Sequence, residues 1–431
     1  MSPFDRRSFL AGTTLAATAI TGAARAQSDV NNTIRCAVLG VNGRGKVHID
    51  AIQNVRGAQV ALLCDPDAKL LAQRAAEFEK KYGRKVLTET DLRRVYDRKD
   101  IDAVAIATPN HWHALSAIWA CQAGKDAYVE KPGSHNVFEG RKMVEAADRY
   151  QRIVQHGVQL RSNPVLQEAV QHLRDGMIGD VYMARAVIYR WRPSVGKRPD
   201  AAAPATLDWD LWQGPAAERP FSTRYVHYDW HWHWDYGNGD LGNQGVHETD
   251  MALWGLGEGL PTEVTAMGGK FLWDDDRETP EVLSALYRYA GSNKMLEVEV
   301  RPWCTNTEEG VNVGNLFYGS KGFMTVSDYN SYQVYLGQRR EPGPSGKWGD
   351  PVQAHFDNFF DAVRSRDATK LNGPIETGHT SSAIAHLGNI AFRVGRRLQF
   401  DPKSEQFVGD TEANAMLTRE YRPPYVVPQQ V

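Results

Sequence analysis

Apolar and polar positions follow two different rhythms along this chain. Up to residue 156, short apolar runs recur, each followed by a polar turn: Ile34–Leu39, Ala58–Cys64, Ile101–Ala107 and Asp126–Val129. Runs of this length without alternation suit strands buried on both faces of a parallel sheet. An amphipathic helix from Lys46 follows the first run, and Asp65-Pro66-Asp67 opens a second through Lys80. Thr108 to His113 opens a third, and Arg152–His156 is expected as the last strand. From Val181 the rhythm changes. Val181–Trp191 alternates as a long strand, and Glu263–Lys270, Leu283–Tyr289, Met295–Val300, Asn312–Phe317 and Phe323–Val326 follow without intervening helices. Consecutive strands of that kind predict an antiparallel sheet, with a hairpin turn at Gly319-Ser320-Lys321-Gly322. Val352–Val363 and Thr380–Gly395 are expected as closing helices, and Asp200–Pro204 is the most loop-like stretch. The expected fold is therefore α/β. A doubly wound parallel sheet spans 34–157, an α/β domain with an open, mostly antiparallel sheet spans 158–401, and an extension runs from 402 to 431.

The first turn carries chemistry. Ile34–Leu39 ends in Gly40-Val41-Asn42-Gly43-Arg44-Gly45. A dinucleotide-binding turn needs glycine at its first, third and sixth positions. Gly40 and Gly45 supply the outer two, and Asn42 replaces the middle one with Gly43 beside it. The second strand ends at Asp65, where an acid bonds the adenosine ribose hydroxyls and repels a 2′-phosphate. Strand, glycine turn, helix, strand and acid in that order predict a Rossmann site that takes NAD, with NADP less favoured. Asp65 could also serve as a helix cap. Ligands of such sheets lie outside the carboxyl ends of the strands. Thr108, Pro109, Asn110 and His113 after one strand, and Glu130 and Lys131 after the next, should therefore face the cofactor together with Arg44.

The 431 residues suit two or three domains, and 42% hydrophobic with 24% charged residues excludes fibrous and disordered classes. A net charge of −2 without a basic run excludes a nucleic-acid partner. The four cysteines, Cys36, Cys64, Cys121 and Cys304, form no C-x-x-C pair, so neither a thiolate zinc site nor a disulfide framework is expected.

The N-terminus reads as an address. Arg6-Arg7-Ser8-Phe9-Leu10 precedes an apolar stretch to Ala24, and Ala24-Arg25-Ala26 offers a cleavage site after Ala26. The stretch is too short to span a bilayer. The arginine pair resembles a Tat export signal over residues 1–26. It implies the Tat machinery as a partner, a periplasmic or otherwise exported protein, folding before export, and no stable membrane insertion.

The glycine turn, the Thr108–His113 loop, Glu130-Lys131-Pro132 and a later glycine/histidine segment together resemble the Gfo/Idh/MocA oxidoreductases, over roughly Ile34 to Phe400. The resemblance implies a sugar-acting enzyme with a nicotinamide cofactor and a homodimer or homotetramer packed through the open sheet. In that family a glycine-rich turn enters a helix carrying an Asp and, four residues on, a His. Here Asn243 and His247 occupy those places. The resemblance makes Lys131 and His247 the acid/base pair and Asn243 a substrate-hydroxyl ligand. Asn243 is a departure, because an amide cannot take a proton.

Tyr228, Trp230, Trp232 and Trp234 crowd the segment before that turn. With Lys131, Arg161, Asn243 and His247 they are the candidate substrate contacts, since aromatic faces suit sugar rings; an interface or core role is the alternative. His231 and His233 alternate on a presumed strand with His227, Asp229 and Asp235 nearby, which falls short of a zinc set, and no metal is expected. Three functions remain: an exported oxidoreductase acting on a sugar or polyol with tightly held NAD, an NAD-dependent glycosidase or lyase that oxidises the ring transiently, and a non-catalytic sugar-binding protein.

Overall fold

The computed structural model describes residues 33–303 and 306–431. The export signal and the expected cleavage site after Ala26 lie outside the described residues, as does Cys304. The N-terminal sheet has six parallel strands in the order β3-β2-β1-β4-β5-β6. These are β1 (Ile34–Leu39), β2 (Ala58–Cys64), β3 (Leu87–Glu89), β4 (Ala103–Ile106), β5 (Asp126–Val129) and β6 (Val154–His156). Helices α1 (Gly43–Asn54), α2 (Ala68–Tyr82), α3 (Leu92–Asp97), α4 (Asn110–Gln122) and α5 (Val137–Arg149) connect them. All of β1, β4 and β5 except Arg35 is buried, as the apolar runs require. Helix α1 begins at Gly43, three residues before the sequence pattern suggested.

The second sheet has ten strands in the order β14-β13-β12-β11-β7-β10-β9-β8-β15-β16. They are β7 (Val181–Tyr189), β8 (Glu263–Gly269), β9 (Val282–Tyr289), β10 (Lys294–Arg301), β11 (Val313–Gly319), β12 (Gly322–Ser327), β13 (Ser331–Leu336), β14 (Glu341–Lys347), β15 (Leu398–Asp401) and β16 (Gln406–Phe407). Among the described residues, β7 and β10 are the one parallel pair of this sheet. Along β9 buried Leu283, Ala285, Tyr287 and Tyr289 alternate with outward residues, which gives the sheet one covered face. Helices α6 (Pro164–Arg174), α7 (Trp209–Gln213), α8 (Gly239–Asn243), α9 (Gly245–Leu256), α10 (Val352–Ser365), α11 (Ile375–Val394) and α12 (Thr411–Ala415) complete the chain.

Packing and backbone contacts at several places tie the halves together. Helix α10 packs on the N-terminal sheet, with Phe356 stacked on Tyr128 at 4.3 Å. The segment after α12 returns to the N-terminal domain, where Phe138 N–H donates to Leu417 O and Tyr425 packs against Trp112 at 5.3 Å. The stretch before α7 is stitched to the tip of β2: Ala68 N–H donates to Thr206 O, and Asp208 N–H to Pro66 O. Residues from the second half thereby roof the carboxyl ends of the first sheet.

Candidate active site

Under that roof lies a cleft of about 380 Å³. Its floor is the glycine turn. Gly40 has φ +81°, and a Cβ there would sit 2.6 Å from Ala107 O, so only glycine lets β1 turn this close to β4. Gly43 also has positive φ. Asn42, in the place of the middle glycine, has φ −88° and needs no glycine there. It stands at the start of α1 without capping it through its side chain; its backbone oxygen takes the Gly45 N–H at 2.7 Å, and the Gly43 and Arg44 amides, on two residues that line the cleft, have no side-chain cap. Gly45 is not in the lining: its missing Cβ makes room for Gly40 O, which a β-carbon would approach to 2.0 Å. Its part is to pack the helix on the turn.

Gly40, Asn42, Gly43, Arg44, Asp65, Thr108, Pro109, Asn110, His113, Glu130 and Lys131 all line this one cleft. Asp65 is buried, and its two oxygens accept from Val41 N–H and Asp67 N–H, each at 3.0 Å. Burial lifts its carboxyl above the usual range, and the two amides oppose that. The helix cap is Asp67, which takes the Lys69 and Leu70 amides, so Asp65 does not cap α2. Thr108 Oγ1 and Arg44 Nη2 are buried with no partner among the described residues. Uncapped helix amides, a glycine floor, an acid at the β2 tip and orphaned donors on the wall fit a dinucleotide.

Glu130 looks inward. Arg44 Nε donates to Oε1 at 2.7 Å, and His48 Nε2 lies 2.9 Å from the same oxygen. Burial opposes its charge, but Arg44 and His48 outweigh burial and hold the carboxyl well below the usual range. Glu130 thus fixes the strand tip from which Lys131 projects. Lys131 Nζ donates to Asn243 O at 2.5 Å and to Asn243 Oδ1 at 3.1 Å. Burial pulls its ammonium down to about 8, with Glu130 resisting and Arg44 assisting.

Asn243 and His247 stand on two helices. Asn243 ends α8 and His247 lies in the first turn of α9, with Gln244, itself helical, between them. Asn243 lines the cleft and His247 does not. His247 is buried, its ring packs on Tyr329 at 5.2 Å, and its Nδ1 has no partner among the described residues. Burial first, then the Lys131 charge, holds its imidazole well below the usual range, so it is neutral near neutral pH.

The aromatic segment is not a strand. Asp229–Trp232 forms a 3₁₀ turn, so His231 and His233 do not share a strand face. Tyr228 and Trp230 line the cleft, and Trp230 stacks on His231 at 3.6 Å. Trp232, expected at the substrate face, is instead buried, with the Arg192 and Arg277 guanidiniums 5.4 and 5.0 Å from its ring. Trp234, also expected there, lines a separate cavity. Arg161 is held elsewhere: Nε donates to both oxygens of buried Asp250, at 3.0 and 2.8 Å. Among the described residues no group of three or more His, Cys, Asp or Glu could hold a metal, and no helix is long and apolar enough to cross a membrane.

Several lining residues were not anticipated as contacts, among them Trp112, Trp212, His227 and His231. His231 Nδ1 lies 2.5 Å from Tyr228 O, and burial brings its imidazole down to about 3, with Lys131 and Arg192 adding to that. Only the density of aromatics and histidines around 225–236 pointed toward it. Glu248, next to His247, is fully buried and holds one oxygen toward Gln244 Nε2 at 3.2 Å. Burial lifts its carboxyl to about 8.

The family model for the Gfo/Idh/MocA oxidoreductase NAD-binding Rossmann fold matches residues 34–158, and that for the family's C-terminal α/β domain matches 169–269 and 346–427. A glycosyl hydrolase family 109 protein 2 of Shewanella sp. (strain ANA-3) is 33% identical over 177 residues, 35% of this chain and 39% of the relative. An alpha-N-acetylgalactosaminidase of Shewanella oneidensis is 35% identical over 124 residues, 28% of this chain and 27% of the relative. The chain thus spans well under half the length of these curated relatives. Among solved structures, the WlbA dehydrogenase of Bordetella pertussis, in complex with NADH and UDP-GlcNAcA, superposes with TM-score 0.65 at 22% identity, covering 86% of this chain and 99% of that one. The aldose-aldose oxidoreductase of Caulobacter crescentus, complexed with glycerol, gives 0.64 at 18% identity, covering 85% and 100%. At these identities the structural likeness speaks for the fold, and the two matched domains decide the family: the chain belongs to the Gfo/Idh/MocA oxidoreductases, with an NAD-binding Rossmann domain.

Proposed function

We propose that the protein is an exported oxidoreductase that moves a hydride between a CH–OH group of a sugar or polyol and an NAD that stays bound. The observation that carries this is Lys131: a partly buried amine, tuned to about 8, pinned to Asn243 on the wall of the dinucleotide cleft. The bound nicotinamide supplies the hydride acceptor. The chain does the rest. Lys131 in its neutral form takes the hydroxyl proton, a task best done by a group with a pKa near working pH. Asn243 orients Nζ without competing for the proton. His247, neutral and with its Nδ1 unpartnered among the described residues, lies behind the lining where the Lys131 charge reaches it, and in this reading it assists the proton transfer from there. Tyr228 and Trp230 offer apolar faces to the sugar at the cleft mouth. When NAD is bound, the amides at the start of α1 and Gly40 would hold the pyrophosphate, and Asp65 the ribose.

The Arg6-Arg7 signal supports export by the Tat route, after folding and cofactor loading. The open sheet supports a homodimer or homotetramer. The second reading, a redox-neutral glycosidase, is favoured by the glycosyl hydrolase family 109 relatives, and it would use the same Lys131. A panel of free sugars and aryl glycosides, offered to purified protein, separates the two. NADH absorbance with a free sugar supports the oxidoreductase, and aglycone release without NADH supports the glycosidase. Sugar binding with neither signal overturns both and leaves a binding protein.

A further inference from the structure

Behind the cleft lies a second cavity of about 240 Å³, walled by the turn after β5, the C-terminal half of α11 and the segment after α12. Asn238 is the partition. Its Oδ1 accepts from Asn110 Nδ2 on the cleft side, and its Nδ2 donates to His135 O at 2.9 Å on the other. Several buried polar atoms of the cavity are idle, and an exposed arginine stands at its rim. Arg393 has no hydrogen bond or ion pair among the described residues, and its guanidinium lies 5.1 Å over the Trp234 ring. Arg419 donates to Asp235 O and His111 O and pairs with Glu139 at 3.1 Å, yet its Nε is buried and unused. Both ring nitrogens of His135 and Nδ1 of His386 are buried without a partner, and His386 is 4% exposed. The carboxylate in the lining, Asp235, is already paired with Arg219.

Buried donors are seldom left unpaired unless a ligand or water completes them. We infer that this cavity is a binding site, separate from the dinucleotide cleft, for a small hydroxylated anion such as a sugar acid or sugar phosphate. The argument is one of chemistry. Arg393, which feels Asp235 and Glu278 but pairs with neither among the described residues, supplies a positive charge in the planar fork that matches a carboxylate or phosphate. Burial keeps His135 and His386 neutral, so His135 has a donor and an acceptor to offer a hydroxyl, and His386, whose Nε2 lies 3.3 Å from Ser134 Oγ, offers its Nδ1. Trp234 adds an apolar wall, and the volume suits a monosaccharide-sized ligand.

The test uses the full-length protein saturated with NAD, which fills the pyrophosphate site. Inorganic phosphate and glucuronate are titrated separately, reading tryptophan fluorescence and the thermal midpoint. At least one probe is expected to bind saturably, glucuronate alone marking a carboxylate site and phosphate alone a phosphate site. Arg393→Gln and, independently, His386→Ala should weaken that binding by about tenfold or more, the effect of losing a charge-assisted or buried hydrogen bond, while NAD affinity holds. Arg393 is exposed at the end of α11, so its substitution spares the core. If neither probe binds, or if both variants bind as the wild type does, the cavity is not such a site.

Discussion

Lys131 and Asn243 meet across the boundary between the two domains: the Lys131 Nζ donates both to the Asn243 side chain at 3.1 Å and to its backbone oxygen at 2.5 Å. An amine held this way keeps its position when it loses its proton, because the other N–H bonds remain donors. Substitution by Met should leave folding and cofactor binding intact and lower turnover by about 10²–10⁴-fold, the usual weight of a general base. The pH profile carries the sign. Burial lowers the pKa to about 8, so the neutral, proton-accepting form gains as pH rises. Wild-type kcat/KM for oxidation should climb to a plateau above about pH 8. A flat profile, or a Met variant near the wild-type rate, sinks the assignment.

Asn243→Asp turns the departure from the family pattern into an experiment. A carboxylate beside Nζ favours the ammonium, and close opposite charges move a pKa by about 1–3 units. The rising limb should therefore shift to higher pH, with a lower rate at neutral pH and little change on the plateau. An unmoved limb would mean that another group sets it.

Asp65 should decide between the two nicotinamide cofactors. Its oxygens hold the Val41 and Asp67 amides and still have lone pairs to offer a ribose hydroxyl. Asp65→Asn keeps an acceptor and removes the charge. The expected result is weaker NAD binding and a smaller gap between NAD and NADP, read as two dissociation constants on apo-protein. The thermal midpoint should fall modestly, because the new Nδ2 cannot accept from one of the two amides the carboxylate holds, while the Asp67 cap on α2 stays in place. A constant ratio of the two affinities would leave Asp65 a role in the turn alone.

Two aromatics of one run should part company under mutation. Trp232 is 3% exposed between two guanidiniums, so Trp232→Ala should destabilise by about 3–5 kcal/mol, seen as a lower thermal midpoint. Tyr228 is 51% exposed at the cleft mouth. Tyr228→Ala should raise KM for the sugar severalfold at near-constant stability. The reverse pattern would contradict their placement.

That split shows where the sequence stops being readable. The strands β1, β2, β4 and β5 are apolar on both faces, so a pattern alone locates them, and the polar residues at their tips had only the cleft to face. Within 228–234 the pattern misleads. A 3₁₀ turn repeats every three residues, so alternate positions do not share a face, and Trp230 reaches the cleft while Trp232 goes inward. Strand β14, Glu341–Lys347, carries two prolines and two glycines and reads as loop; it survives as a strand because it lies at the sheet edge, where missing donors cost nothing. The role of α10 was hidden for another reason. Phe356 and Tyr128 are more than two hundred residues apart, and no local signal says that a late helix covers an early sheet.

How the cofactor is used follows from where the protein is proposed to work. Outside the inner membrane there is little free nicotinamide cofactor to exchange with. An enzyme that released NADH there would stop after one turnover. The roof over the cleft, where Thr206 O takes the Ala68 amide and Asp208 N–H meets Pro66 O beside Asp65, gives a physical means of retention, since release would require opening those contacts. NAD should therefore remain with the protein through gel filtration, and mass spectrometry of the denatured sample should find it. Each hydride taken from one sugar must then go to a second substrate or back to the same one. Steady-state kinetics should show a ping-pong pattern between two sugars, or hydrolysis without added NAD. Breaking the roof with Asp208→Pro, which removes the N–H that Pro66 O accepts, should speed cofactor loss. Protein that loses NAD readily, and works only with millimolar NAD supplied from outside, would overturn both the retention and the export that motivates it.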